Sequence, residues 1–280
     1  MKLLTSDSNP QFRRWLRLAT LPRAVRELGQ TLAEGLHLAQ AIGQSQWPVI
    51  TALVRRGADG EAVQRALSLL PANTDRFQLA AALYDRISPV EHGVGLTLVI
   101  PVEAAAQPVE SREDLIYLDG IQDPANVGAV LRTAAAAGIA HVLCGPATAA
   151  AWSPKVLRAA MGAHFRIRIS EAVDPDALGG ALAGTWIGAV VRDAPSLWTC
   201  QLPGQAVGWA FGSEGAGLSA AVLERCALRV RIPMSRDAES LNVAAAAAVC
   251  LFERRRRAAV YECNERPAHS QPSAMQTSVK

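Results

Sequence analysis

The sequence predicts an α/β protein: a mainly parallel sheet covered on both faces, preceded by a smaller α/β unit. Two observations carry this. From Leu115 onward, apolar runs of strand length alternate with helical stretches, the rhythm of parallel strands joined by crossover helices. Upstream, a stretch rich in alanine, proline and charge at residues 103–113 separates this region from a shorter set of elements, which predicts a linker between a domain of residues 1–102 and one of 114–263.

In the first domain, apolar periodicity predicts helices over Phe12–Leu28 and Thr31–Gly43, a strand over Val49–Val54, a helix over Gly60–Leu70 opened by the turn Gly57-Ala-Asp-Gly60, and a strand over Val94–Val102. In the second, strands are expected at Leu115–Ile121, His141–Cys144, Phe165–Ile169, Thr185–Val191, Val207–Phe211 and Leu228–Ile232. Helices are expected at Val127–Ala137, Pro154–Ala160, Asp174–Leu182 and Ala220–Arg225, and a long final one over Leu241–Glu262. Residues 264–280 are polar and proline-bearing and read as a disordered tail.

Composition excludes several classes. The longest apolar run, near Leu241–Phe252, is far short of the roughly 20 residues of a membrane span, and the early charges and prolines do not form a signal sequence; the expectation is a cytoplasmic protein with no membrane partner. Five cysteines with no Cys-x-x-Cys spacing, and five scattered histidines, point to reduced thiols and to no metal. Gly212-Ser-Glu-Gly-Ala-Gly217 is not Gly-x-Gly-x-x-Gly, no Walker loop follows it, and no Gly-x-Ser-x-Gly elbow gives a serine nucleophile context.

The net charge is only +3, yet all the cations besides Lys2, Lys155 and Lys280 are arginines. Arginine's planar fork suits RNA phosphates and bases, although genomic base composition gives the same bias. Distribution says more than the total. Arg13, Arg14, Arg17, Arg23 and Arg26 fall in a stretch without an acid, the expected contact with an RNA backbone, with a solvated helix face as the alternative. For Arg254–Arg257, RNA contact and a solvated helix end both stay open.

Three segments at predicted strand ends carry the chemistry: Asp119-Gly-Ile-Gln-Asp-Pro-Ala-Asn-Val-Gly128 running on to Arg132 and Gly138, Phe211-Gly-Ser-Glu-Gly-Ala-Gly-Leu218, and Ile232-Pro-Met234 with Glu239-Ser-Leu-Asn-Val243. Gly, Asn, Glu and Ser where the chain leaves a sheet read as loops building one site. Asp123 is placed to cap a helix with Pro124 in its first turn, setting Asn126 at the helix mouth; Ser240 and Asn242 open the last helix.

In order and residue type, these segments resemble the signature motifs of the SpoU family of RNA ribose 2'-O-methyltransferases, of the knotted SPOUT class, over about Asp114–Glu262. The resemblance implies S-adenosylmethionine as cofactor, held by Gly212, Glu214, Ile232, Met234, Ser240 and Leu241, with Asn126, Arg132, Glu214, Ser240 and Asn242 as catalytic residues. It implies a trefoil knot after about Phe211, a homodimer, and a structured RNA substrate, ribosomal RNA ahead of transfer RNA. A non-catalytic RNA-binding protein on the same scaffold is the rival, and it would be expected to have lost one of Asn126, Arg132, Glu214 or Asn242. Around Thr31-Leu-Ala-Glu-Gly-Leu-His-Leu38 the chain is similar to the small ribosomal-protein-like substrate domain of many members. Two positions depart from the pattern: Arg236 stands where the family has a turn glycine, and Ala244 replaces a serine. The first puts the loop's shape in question, because glycine takes positive φ without strain. Although the resemblance assigns Arg132 to activating the hydroxyl, removing a proton from a guanidinium at neutral pH costs roughly 8 kcal/mol. Holding phosphate and stabilising a developing alkoxide is the easier role.

Overall fold

The computed structural model describes residues 1–88, 90, 93–102 and 110–265, with side chains through 258. The N-terminal part comprises β1 (Lys2–Leu4), α1 (Pro10–Thr20), α2 (Pro22–Leu28), β2 (Gln30–Glu34), α3 (Leu36–Ser45), β3 (Thr51–Arg55), α4 (Glu61–Ser68), β4 (Asp75–Leu79), α5 (Ala81–Ile87) and β5 (Leu96–Pro101). Its sheet has the order β1-β4-β3-β5-β2; β5 runs antiparallel to both neighbours and the other pairings are parallel.

Two expectations are corrected here. The helix expected over Phe12–Leu28 is two helices, because Pro22 cannot continue a hydrogen-bonded turn and Leu21 is extended (φ −118°, ψ 105°). The helix expected from Thr31 begins only at Leu36. Thr31, Leu32 and Ala33 are buried in β2, paired with Ile100, Val99 and Leu98, and Gly35 at φ +98° turns the chain into α3. Pairing with β5 overrides a pattern equally compatible with a helix. The sequence reading missed β1, β4 and α5.

The second part is β6 (Leu115–Asp119), α6 (Pro124–Ala137), β7 (His141–Cys144), α7 (Pro154–Ala160), β8 (Arg168–Ser170), α8 (Leu178–Ala181), β9 (Thr185–Val190), β10 (Val207–Gly212), α9 (Ala220–Arg225), β11 (Leu228–Arg231) and α10 (Val243–Glu265). All six strands are parallel, in the order β11-β9-β10-β6-β7-β8, so the α/β class with a mainly parallel sheet holds. The strand expected over Phe165–Ile169 is shorter. Ala163–Phe165 is a 3₁₀ turn whose His164 is buried against the Ala151 carbonyl (2.7 Å). The helix expected over Asp174–Leu182 is a 3₁₀ turn and one helical turn containing Gly179-Gly180. The final helix starts two residues late and reaches Glu265; the rest of the expected tail, 266–280, and most of the expected linker, 103–109, lie outside the described residues.

From β6 the chain builds outward through β7 and β8, then returns to build β9, β10 and β11 on the other side. Such a reversal leaves a crevice beyond the carboxyl ends of the strands. On one face α6 packs on α7 through Gly128, where a Cβ would lie 2.4 Å from that of Ala159. The arginines of α10 hold their own protein: Arg254 pairs with Asp114 (3.0 Å) and binds the Gln205 carbonyl (2.8 Å), while Arg257 binds Glu253 (2.7 Å) and the carbonyls of Cys200 and Leu197. Of the two readings of Arg254–Arg257, neither RNA contact nor a solvated end describes these two, because carboxylates and loop carbonyls already occupy their donors.

Candidate active site

At the ends of β9, β10 and β11 the chain encloses a cavity of about 380 Å³. Its floor and walls are Val190 at the end of β9 with Val191 after it, Phe211 of β10 and the loop through Leu218, Val230 of β11 with Ile232 just beyond it, and Ser240 and Leu241 leading into Val243 and Ala246 of α10. The loop after β10 is folded back on itself. Gly217 at φ +70° donates to the Ser213 carbonyl (2.9 Å), and Asp119 accepts from the Ser219 N–H (2.6 Å), tying the loop's far end to β6. Gly212 is required by this path: a Cβ there would stand 2.1 Å from the Gly217 carbonyl carbon. Leu241 and Val191 remain 40% and 46% exposed, apolar surface offered to a ligand at the cavity rim.

Beside the cavity, one chain of side-chain hydrogen bonds joins the three motif loops. Asp123 caps α6, accepting from the Ala125 N–H (2.9 Å), and Pro124 occupies the first turn as expected, which leaves Asn126 projecting at the helix mouth. The Asn126 amide donates to Glu214, and its carbonyl oxygen accepts from the Asn242 amide at 2.9 Å. Asn242 in turn caps α10, its Oδ1 accepting from the N–H groups of Ala244 (3.0 Å) and Ala245 (3.3 Å). The helix-opening role shared in expectation with Ser240 therefore falls to Asn242 alone, because α10 begins at Val243; Ser240 lines the cavity.

All six residues expected around the cofactor, Gly212, Glu214, Ile232, Met234, Ser240 and Leu241, line this one cavity. Asn126 and Asn242 stand next to it through Glu214. Arg132 is not drawn in. It is exposed on α6, about 9 Å along the axis from Asn126 and on a different face, and it has no hydrogen bond or ion pair among the described residues. The arginines of α1 and α2 lie outside the cavity and are all exposed; Arg17 and Arg23 share Glu27 at 2.7 and 3.8 Å. Sequence reasoning missed the wall from β9, whose Ala189-Val-Val191 reads as ordinary strand and carries no chemical signal, and the tie made by Asp119. Arg236 lies in a turn closed from Ala238 to Ser235 (3.2 Å) and is absent from the non-glycine residues with positive φ, so the turn does not need the glycine it lacks.

The two buried histidines lie outside the cavity. His141 bonds Ser170 (2.9 Å); burial holds both His141 and His164 down at about 4. Burial pushes the thiols of Cys226 and Cys250 up to about 11 and about 12, and all four described cysteines are free. Among the described residues no group of three His, Cys, Asp or Glu side chains could hold a metal, and no helix is long and apolar enough to cross a membrane.

A parallel α/β domain that closes a ligand-sized cavity with loops at a topological reversal, and aligns polar side chains beside it, defines an enzyme dependent on a small organic molecule. The chain belongs to the SpoU rRNA methylase family, whose model matches residues 114–252. It is 31% identical to the 23S rRNA (guanosine(2553)-2'-O)-methyltransferase RlmP of Bacillus subtilis, over 91% of this chain and all of that protein. It is 37% identical to the 23S rRNA (guanosine-2'-O-)-methyltransferase RlmB of Xanthomonas campestris, over 54% of this chain and 62% of that protein. Its fold matches an AdoMet-bound rRNA methyltransferase from Sinorhizobium meliloti with a TM-score of 0.78 and 25% identity, covering 91% of this chain and 98% of the other.

Proposed function

We propose that this protein methylates a ribose 2'-hydroxyl of ribosomal RNA, with S-adenosylmethionine as donor. The observation that carries the reading is the hydrogen-bonded chain Glu214–Asn126–Asn242, which ties together motif loops from three parts of the sequence at the mouth of one cavity. The cavity fits the donor. Its volume lies in the range of small-molecule sites, which span roughly 300–1,000 Å³. Val190, Leu218, Val230, Val243 and Ala246 would offer apolar walls to an adenine; the loop at Gly212 lines the cavity with main chain where a side chain has no room; and the Glu214 carboxylate on the lining would favour a cationic ligand. Ile232, Met234, Ser240 and Leu241 complete the enclosure.

When bound, the donor would supply a methyl group already activated on a sulfonium: attack by the ribose oxygen would form the C–O bond and break the C–S bond, leaving a neutral thioether, with the hydroxyl proton passing to solvent. What remains for the chain is alignment. In this reading Asn126, Asn242 and Glu214 hold the loops in register, Ser240 offers its hydroxyl at the cavity edge, and Arg132, without a hydrogen-bond or ion-pair partner among the described residues, holds the target phosphate and stabilises the developing alkoxide. The exposed arginines Arg13, Arg14, Arg17, Arg23 and Arg26 bind the RNA backbone, giving residues 1–102 the role of a substrate-binding domain. A trefoil knot after Phe211, a homodimer and a cytoplasmic location complete the reading; the last accords with a ribosomal RNA target. The test is to map ribose methylation across total RNA from cells with and without the gene, and to add purified protein and labelled donor to undermethylated ribosomal RNA. One lost mark, restored in vitro, is expected; no change in either experiment overturns the proposal.

A further inference from the structure

The N-terminal and C-terminal parts are not two beads on a string, because they share a hydrophobic core. Trp152, from the loop between β7 and α7, is 2% exposed and is buried with Leu157 among the N-terminal core residues rather than with its own sheet. Its ring stacks on Trp47 of the N-terminal part (centroids 5.7 Å apart) and packs on His164 (5.0 Å), while Trp47 also meets Phe165 (5.4 Å). The Trp152 carbonyl accepts from the buried hydroxyl of Thr31 in β2 (2.7 Å). Gly162 closes the seam: a Cβ there would lie 2.6 Å from that of Ala41 on α3. Glu171, just after β8, accepts from the Ala151 N–H (2.6 Å) and faces Arg26 of α2. An aromatic stack, a buried hydrogen bond and a glycine-only approach together fix one orientation, where a tether would leave many.

The place of this seam matters. Ala151 and Trp152 follow β7 and Glu171 follows β8, which sets this part of the seam at the carboxyl end of the sheet, the same end on which the cavity opens beyond β9, β10 and β11, while Gly162 and Phe165 carry the seam along α7 toward the start of β8. From β8 to β10 is three strand spacings, roughly 14 Å. The helix mouth with Asn126, at the end of β6, lies between them.

We infer that the N-terminal part is a fixed ruler that selects the nucleotide, and that Trp152 is the specificity-determining residue that sets its position. This rests on the RNA methylation reading above. RNA gripped by the arginines of α1 and α2 is presented to the cavity at one reach and one angle, and a loosened seam allows several.

The experiment compares wild-type protein with Trp152→Ala, Trp152→Phe and Trp47→Ala, measuring S-adenosylmethionine affinity, kcat/KM on undermethylated ribosomal RNA, and the position of each methyl mark. No seam residue lines the cavity, so donor affinity should stay within about twofold in all, whereas a misplacement of an ångström costs on the order of a hundredfold in rate. Both alanine variants are expected to lose at least about tenfold in kcat/KM and to spread marks to neighbouring nucleotides, and Trp152→Phe, which keeps an aromatic plane, to regain most of both. If Trp152→Ala does not fold, the half-buried Trp47 decides alone. Donor-binding variants that mark the wild-type nucleotide at the wild-type rate overturn the ruler. A wild-type protein that neither binds donor nor marks RNA removes the underlying reading instead.

Discussion

Asn126→Asp is the sharpest single perturbation of the site. Asn126 offers opposite faces to its two partners: its amide donates to the Glu214 carboxylate, and its oxygen accepts from the Asn242 amide at 2.9 Å. Aspartate keeps the shape and the bond from Asn242 but sets a carboxylate where Glu214 expects a donor. Two unit charges about 3 Å apart repel by roughly 1.4 kcal/mol in water and about 5.5 kcal/mol at an effective dielectric near 20. Glu214 is exposed, so the lower part of that interval applies, about 1.5–3 kcal/mol, or roughly 10- to 150-fold in kcat/KM. The variant should therefore lose about that factor at pH 8 and recover as the pH falls and the carboxyl pair takes up a proton, because the repulsion exists only while both are ionised. Asn126→Ala, which loses both bonds without adding charge, should show no such recovery. Steady-state rates across pH 5.5–8.5 on about five buffers' worth of points decide it. A wild-type pH profile for the aspartate variant, or identical profiles for aspartate and alanine, would refute the proposed alignment through Glu214.

Gly212→Ala should lower donor affinity about 5- to 150-fold, since the new Cβ meets the Gly217 carbonyl carbon at 2.1 Å and overpacking of this kind costs about 1–3 kcal/mol; calorimetric titration with wild-type affinity would contradict this. Arg132→Ala should abolish turnover with donor affinity retained, because Arg132 lies outside the cavity; wild-type turnover would remove it from the mechanism. Thermal stability should fall with acidity between pH 6.5 and about 4. Folded His141 and His164 stay neutral down to about 4, whereas the unfolded chain takes up their protons from about 6.5. Stability is thus whole above pH 6.5 and declines below it by up to about 1.4 kcal/mol per unit for each histidine. Scanning calorimetry at several pH values checks this, and a Tm independent of pH over that interval contradicts it.

What the sequence made legible follows from where its chemistry is concentrated. Strand ends announce themselves through residues that no strand interior wants, as with Gly212 after Phe211 or Asp123-Pro124 after the run ending at Ile121, and these loops are where the site lies. The helices α7 and α9 match their expected bounds because Ser153 and Ser219 cap them, accepting from the N–H three residues on. The wall at Val190 and Val191 was illegible for the opposite reason: apolar strand residues look alike whether they face a core or a ligand. β2 was illegible because Thr31-Leu-Ala-Glu34 satisfies either period, and its partner β5 lies more than 60 residues away. The bond between Asn126 and Asn242 spans 116 residues, so only the fold reveals it.

That bond also separates residues that a motif lists side by side. Asn242 commits its oxygen to the start of α10 and its amide to Asn126, and Asn126 commits both ends of its own amide. Groups so engaged are poor candidates for proton traffic, because releasing any one of them leaves a partner unsatisfied. Arg132 has the opposite character: a full charge, exposed, with no intrachain partner among the described residues to give up. On the proposed reading, then, the asparagines and Glu214 of one signature serve as framework, and the arginine is the group assigned to RNA. Changes to the framework should move donor affinity and turnover together, since the same loops close the cavity, while changes to Arg132 should move turnover alone. Sharing a motif does not mean sharing a role; the hydrogen-bond inventory of each side chain decides which role it can play.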